Sequence, residues 1–207
     1  MKHRANASRK FENAARIAQT HMPPWMPAGF FMTDPARVNA PIDIVKGLPA
    51  GIGVIIRHMG RPDAISEAGD IAAICKRAGR ICLIGADAEL ARVLDADGVH
   101  WPARLQAEAR RLASYFPVNT MSVHSLREVR RAEQLGMDGV IASTVFASAS
   151  PSSGAPMGLT RLARLQAATP LPVYGLGGVS ADNVERTSRL AGFASVSGFE
   201  VLRVGPP

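Results

Sequence analysis

Histidine, arginine and serine side chains recur at the ends of apolar runs, where a buried strand would end. Arg57 and His58 follow "GIGVII", and His100 ends "DADGVH". Ser122 and His124 stand in the same way near the end of "VNTMSVH". Histidine exchanges protons near neutral pH, and the guanidinium fork of arginine suits phosphate or carboxylate. We therefore expect acid–base or anion-binding chemistry where these run ends meet, although a hydrogen-bonded structural histidine is the alternative at each position.

A glycine-rich segment, "VYGLGGVSADN", offers a second kind of site. Gly177 and Gly178 end an apolar run, and Ser180 or Asp182 is expected to cap the helix that follows. Backbone N–H groups at such a turn can hold a phosphate, which the helix dipole also attracts. The alternative is that the two glycines only permit a tight turn.

A loop of small residues, "FASASPSSGAPMG", follows another apolar run, which ends near Thr144. Ser148 and Ser150 lie in this loop and could donate hydrogen bonds to a phosphate. The composition is that of a mobile lid over a site, or of a solvated connector without a function of its own.

Eight β-type runs alternate with amphipathic helical runs from residue 30 onward. Such alternation predicts parallel strands joined by right-handed crossovers, and eight units close a (β/α)8 barrel. We predict an α/β protein with a single (β/α)8 TIM barrel at residues 30–207, and an open doubly wound sheet is the alternative. In a barrel all the candidate residues share one mouth. The predicted strands are 30–34, 51–58, 80–86, 97–101, 118–124, 138–143, 172–178 and 193–199.

Residues 1–29 are expected to form a separate N-terminal helical arm. "ASRKFENAARIAQ" predicts an amphipathic helix with Phe11, Ala15 and Ile17 toward the body, and "HMPPWMPAG" is a connector whose prolines exclude a helix. The arm could be a flap over the base of the barrel or the contact of a homodimer.

The composition narrows the classes of partner and compartment. The net charge is +7, yet aromatic residues make up only 5% and do not interleave with the basic ones, so a phosphorylated small molecule suits the charge better than nucleic acid. No apolar run approaches the roughly 20 residues of a membrane span. Cys75 and Cys82 lack CxxC spacing, so we expect buried free thiols in a cytoplasmic protein.

Three segments together resemble the thiamine-phosphate synthase family and its sister, the thiazole tautomerase TenI. They are "ADGVH" at 96–100, "SVHSLREVRRAEQLGMDGV" at 122–140 and "GLGGVSADN" at 175–183, and the resemblance runs from about residue 30 to 202. It implies a TIM barrel that joins an aminopyrimidine diphosphate to a thiazole phosphate and releases pyrophosphate with the help of Mg²⁺. Together with the residues at the ends of the apolar runs, the resemblance indicates these candidates: catalytic Arg57, His100 and His124; substrate-binding His58, Ser122, Thr144, Ser148 and Ser150; phosphate-binding Gly177 and Gly178.

The sequence departs from the family at the positions that would bind metal. The family's metal-binding aspartate aligns with Ala86, with Asp87 one position on, and "HWPAR" after His100 carries no carboxylate. We therefore predict no metal ligand and assign no cofactor, although the resemblance implies Mg²⁺. Glu200 aligns near the family's phosphate contact, where it would repel a phosphate unless it turns away. The tautomerase's catalytic histidine aligns with Thr144, so the resemblance does not extend to that activity.

Three functional hypotheses follow. The first is a divergent thiamine-phosphate synthase, which keeps Arg57 and Ser122 for the pyrimidine side. The second is an enzyme with a changed, metal-independent reaction that uses His58, His100 or His124 as an acid or base. The third is a non-catalytic relative that binds a thiamine-related phosphorylated ligand or a protein partner.

Overall fold

A computed structural model describes residues 2–148 and 154–205, with side chains from residue 4 onward. Eight parallel strands close into one barrel, in which each strand pairs with the next along the chain and the eighth pairs with the first. The predicted TIM barrel is confirmed, and the open sheet is wrong. The strands are β1 (Gly29–Met32), β2 (Ile52–Ile56), β3 (Cys82–Gly85), β4 (Gly98–Trp101), β5 (Val118–Val123), β6 (Gly139–Ser143), β7 (Val173–Leu176) and β8 (Gly192–Ser195).

Helices cover the outer face of the barrel. Nearly every strand residue is buried, because the strands pack against helices outside and against one another's side chains inside. The helices are α1 (Lys2–Gln19), α2 (Pro41–Gly47), α3 (Pro62–Arg77), α4 (Ala88–Val93), α5 (Gln106–Leu112), α6 (Leu126–Gln134), α7 (Gly158–Ala167) and α8 (Val184–Ser188), with short 3-10 helices at Ala103–Leu105, Ala113–Tyr115 and Ser197–Leu202.

Helix α1 packs along the side of the barrel, against α8, β8 and the last 3-10 helix. Phe11 is fully buried, and its ring stacks on that of Phe199 with centroids 4.4 Å apart. Ala15 is buried as predicted, whereas Ile17 is only partly buried. Up to residue 205 only a 3-10 helix follows β8, so α1 covers the face that a helix after β8 would cover. A flap across the base is therefore wrong, because α1 lies along the side.

The chain leaves β8 earlier than the sequence pattern predicts. Ser195 Oγ donates a hydrogen bond to the Val179 carbonyl at 2.6 Å and accepts one from the Gly198 amide at 3.1 Å. These bonds turn the backbone into the 3-10 helix and fasten the loop after β7 to the loop after β8. Glu200 is therefore exposed on that helix and does not line the mouth of the barrel.

The two cysteines are free and buried, as predicted, at the contact between α3 and β3. A hydrogen bond with the Cys75 sulfur, and after it burial, raises the pKa of the Cys82 thiol. Within the described part of the chain, no helix is both long enough and apolar enough to cross a membrane.

Candidate active site

A cavity of about 740 Å³ opens at the carboxyl ends of the strands. This is the end at which TIM-barrel enzymes build their sites from the loops after the strands. Ser150 lies outside the described residues, so its predicted contact with a ligand stays a prediction. The other candidates all line this one cavity: Arg57, His58, His100, Ser122, His124, Thr144, Ser148, Gly177 and Gly178.

His100 lies deep in the wall of the cavity and forms two hydrogen bonds with side chains of β5. Its Nδ1 is 2.9 Å from Thr120 Oγ1, and its Nε2 is 2.8 Å from Ser122 Oγ. Burial, and after it the charge of Arg57, lowers the pKa of His100 to about 3. The imidazole is therefore neutral at neutral pH, where it orients the Ser122 hydroxyl.

Arg57 follows β2, and residues at the end of β1 hold its guanidinium. Its Nε donates to the Thr33 carbonyl at 2.7 Å, and its Nη2 donates to Asp34 Oδ2 at 3.0 Å. Both partners of the ion pair are mostly buried. Burial lowers the pKa of Arg57, and the Asp34 carboxylate opposes that shift. Arg57 thus contributes a fixed positive charge at the cavity.

His58 is held by the backbone and by a carboxylate. Its Nδ1 accepts a hydrogen bond from the Gly60 amide at 3.1 Å, so the ring proton lies on Nε2, which is 3.2 Å from Asp87 Oδ2. The other oxygen of Asp87 accepts from the Leu90 amide at the start of α4. This network fixes the tautomer and the direction of His58.

Of the three cavity histidines, His124 is the one with a free ring nitrogen. Its Nδ1 lies 2.9 Å from the Ser143 carbonyl, which can only accept, so Nδ1 carries a proton. Nε2 forms no hydrogen bond with any side chain or backbone group that the structure describes. Glu128 Oε2 accepts from the His124 amide at 2.5 Å and so anchors its backbone. When the ring is neutral, Nε2 can accept a proton or a hydrogen bond from a ligand.

Gly177 and Gly178 adopt φ of +101° and +65°, which side chains other than glycine rarely adopt. A Cβ at Gly177 would lie 2.5 Å from Thr144 Cγ2, and one at Gly178 would overlap the Ala147 carbonyl. Both glycines therefore permit a tight turn against the loop after β6, as the alternative interpretation of this glycine-rich segment predicts. Their amides donate no hydrogen bond to backbone carbonyls of the described residues, so they can also serve a ligand.

The helix after this turn begins differently from the prediction. Asn183, rather than Ser180 or Asp182, stands at the N-cap of α8, and its side chain accepts from the Ser180 amide and donates to the Gly178 carbonyl. Helix α8 has only five residues, so the amides of the turn itself, and not a long helix dipole, are what a phosphate would meet.

The cavity carries positive groups and, among the described residues, no aspartate or glutamate lines it. Besides Arg57, its wall contains Arg37 and Arg104, which our sequence analysis did not select. Arg37 lies in the loop after β1, where no apolar run leads directly up to it. Arg104 could have been found, because it follows the His100 run by only a few residues.

The donors at the mouth do not suit magnesium. Mg²⁺ prefers oxygen ligands and is usually held by one or two carboxylates together with substrate phosphates. The two acids near the cavity are both engaged, since Asp34 pairs with Arg57 and Asp87 contacts His58 and caps α4. Nowhere in the described chain do three or more His, Cys, Asp or Glu side chains gather as a metal cluster. We therefore derive no step through a metal ion.

Comparison with known proteins connects this geometry to one family. Residues 39–199 match the family described as thiamine monophosphate synthase. The chain is 33% identical over 150 residues to the thiamine-phosphate synthase of Methanoregula boonei, covering 70% of the chain and 68% of that protein. It is 30% identical over 149 residues to that of Prochlorococcus marinus, covering 69% of the chain but only 43% of that longer protein.

A solved structure shares the fold. The thiamine phosphate pyrophosphorylase from Pyrococcus furiosus superimposes with a TM-score of 0.71 at 20% identity, over 86% of this chain and 94% of that one. At this identity the superposition supports the barrel, and the family rests on the sequence match.

Proposed function

This chain belongs to the thiamine monophosphate synthase family, and we propose that it is a transferase of thiamine-phosphate synthesis. In this proposal it joins an aminopyrimidine, supplied as its diphosphate, to a thiazole phosphate and releases pyrophosphate. The observation that carries the proposal is the cavity itself. It lies at the catalytic end of the barrel, carries arginines and histidines and gathers nine of the ten sequence-predicted residues.

The pyrimidine side is assigned to β2, β4 and β5. Loss of the diphosphate builds positive charge on the pyrimidine and negative charge on the leaving group, so fixed positive charge beside the leaving group lowers the barrier. Arg57 supplies such a charge, because Thr33 and Asp34 hold its guanidinium in place. The Ser122 hydroxyl, oriented by His100, is available to hydrogen-bond a polar group of the pyrimidine ring.

The thiazole phosphate is assigned to the opposite side, against the turn after β7. The amides of Gly177 and Gly178 would donate to the phosphate oxygens, as backbone amides do at many anion sites.

His124 follows β5 and would contact the aminopyrimidine. Its free Nε2 can accept a hydrogen bond from the aminopyrimidine amino group, which would orient the carbon that the thiazole nitrogen attacks.

A second function is favoured by one observation, the absence of carboxylates among the described cavity residues. A barrel that binds a thiamine-related phosphorylated ligand without transferring it needs anion-binding groups only. The same cavity would then serve as a binding site, with the histidines and Ser122 as ligand contacts.

An assay of product formation separates the two functions. The purified chain is incubated with the aminopyrimidine diphosphate and the thiazole phosphate, with Mg²⁺ in one series and EDTA in another, and thiamine phosphate is measured. The transferase proposal expects product, a large loss for Arg57→Gln and no loss for His21→Gln, an exposed histidine outside the cavity. No product in either series, with binding of a substrate still measurable, would overturn the transferase proposal and support the binding protein.

A further inference from the structure

Arg37 and Arg104 are two arginines of the cavity wall that have no carboxylate partner among the described residues. Neither forms a side-chain hydrogen bond or an ion pair with any residue that the structure describes. Other arginines do have a carboxylate partner, for example Arg61 with Asp63 and Arg92 with Glu89. Arg37 is partly buried and Arg104 is exposed, so both guanidinium groups have all their donors available to a ligand.

The two arginines join Arg57 on one arc of the mouth. They come from the loops after β1, β2 and β4, whereas the Gly177–Gly178 turn belongs to the arc formed by the loops after β6, β7 and β8. Arg37 lies close enough to act on Arg57. Burial lowers the pKa of Arg57, Asp34 opposes that shift, and the charge of Arg37 adds to it. A ligand with two or more negative charges would relieve this repulsion.

A diphosphate fits this arc better than a divalent cation does. Asp34 pairs with Arg57, but Arg37 and Arg104 have no carboxylate partner among the described residues, so the local potential is positive, and it repels a metal ion and attracts an anion. Arginine forms bidentate hydrogen bonds with phosphoryl oxygens, and the two phosphoryl groups of a diphosphate can each accept one guanidinium fork. Arg57 already donates to Thr33 and Asp34, so the free forks are those of Arg37 and Arg104.

We propose that Arg37 and Arg104 bind the diphosphate group directly and that this binding requires no divalent cation. This site rests on the proposed function in one respect: that function identifies the bound group as the diphosphate of the aminopyrimidine substrate. The binding itself is independent of turnover, so it can be measured with inorganic pyrophosphate alone.

Isothermal titration calorimetry of the purified chain with pyrophosphate in EDTA tests the site. We expect saturable binding at one site, weakened at least tenfold by Arg37→Gln and by Arg104→Gln, because each substitution removes a charge-assisted pair of hydrogen bonds. Arg92→Gln is the matched control, since Arg92 is exposed, outside the cavity and paired with Glu89, and it should bind as the unchanged chain does. Unchanged melting temperatures would show that the variants fold.

Two results would overturn the site: binding that appears only when Mg²⁺ is added, or an affinity that neither cavity substitution changes more than Arg92→Gln does. The failure of the site and the failure of the proposed function are distinguishable. If pyrophosphate binds only when Mg²⁺ is added and thiamine phosphate still forms, the metal-free site is wrong while the transferase stands. If pyrophosphate binds in EDTA but no product forms, the site stands and the transfer reaction is wrong.

Discussion

The Nε2 atom of His100 lies 2.8 Å from the hydroxyl oxygen of Ser122, and the other ring nitrogen is engaged by Thr120. The histidine therefore connects β4 to β5 inside the wall of the cavity. A neutral ring with one donor and one acceptor nitrogen can satisfy both hydroxyls, whereas a charged ring would have to donate to both in a buried place. This arrangement makes His100 a positioning residue for Ser122.

The pH dependence of the protein's stability should report the protonation state of His100. Its pKa is about 3 in the folded protein and about 6.5 when unfolded, so only the unfolded chain takes up this proton between those values. Above about pH 6.5, His100 does not lower the free energy of unfolding. As the pH falls from 6.5 toward 3, protonation of the unfolded chain lowers the free energy of unfolding by about 1.4 kcal/mol per pH unit. Urea unfolding of His100→Gln at pH 7 and pH 5 should show a smaller pH dependence than the unchanged protein. His21→Gln, at an exposed position, should retain the full pH dependence, and an equal loss in both variants would contradict this account.

The turn after β7 should tolerate no side chain at Gly178. Alanine there would adopt a left-handed conformation at a cost of roughly 1–2 kcal/mol and would also push the loop after β6 away from the turn. We expect Gly178→Ala to lower both the melting temperature and the affinity for a thiazole phosphate. Gly136→Ala is the matched control, because φ there is +68° but the space around it is open. It should lower stability alone, and loss of affinity in both variants would refute a phosphate site at this turn.

The ion pair between Arg57 and Asp34 should stabilise the folded protein. Removing that carboxylate charge with Asp34→Asn leaves a mostly buried guanidinium without its counter-ion, and we expect a loss of about 2 kcal/mol in the free energy of unfolding. Asp63→Asn breaks the exposed pair with Arg61 and should cause no measurable change, because water screens that pair. Urea denaturation curves of the two variants measure the difference. Equal midpoints would show that the Arg57–Asp34 pair does not stabilise the mouth.

Helix α1 should be an integral part of the barrel. Phe11 is fully buried against Phe199, so Phe11→Ala should cost about 3 kcal/mol through lost burial and the cavity that remains. Trp25, which is 53% exposed, is the control, and Trp25→Ala should cost far less. Thermal unfolding measures both. A Phe11→Ala variant as stable as Trp25→Ala would indicate that α1 is a detachable arm.

The barrel could be predicted because each of its strands and helices is indicated by the pattern of a short stretch of sequence. Each buried strand is a short apolar run between amphipathic helices, so all eight predicted intervals overlap the observed strands. The exit from β8 could not be predicted in this way. Phe199 extends the apolar pattern of the strand, but it is buried by Phe11, nearly two hundred residues away along the chain, and the backbone there forms a 3-10 helix.

The sequence indicated most of the candidate residues that line the cavity, but only part of their geometry. Strand ends identified His100 and Ser122 as neighbours of one mouth, but the hydrogen bond between them depends on the register of β4 with β5, which pairs His100 with Thr120. Arg37 was missed because it lies five positions beyond the end of β1, in a loop whose path no periodic pattern describes.

The central claim is that the mouth of this barrel binds a phosphorylated precursor of thiamine through its phosphate. Calorimetric titration of the purified chain with thiazole phosphate, and separately with the corresponding thiazole alcohol, tests it most directly. The account predicts saturable binding of the phosphate ester, at least tenfold weaker binding of the alcohol, and loss of this preference in Gly178→Ala but not in Gly136→Ala. Equal affinity for the two compounds, or no binding of either, would contradict it.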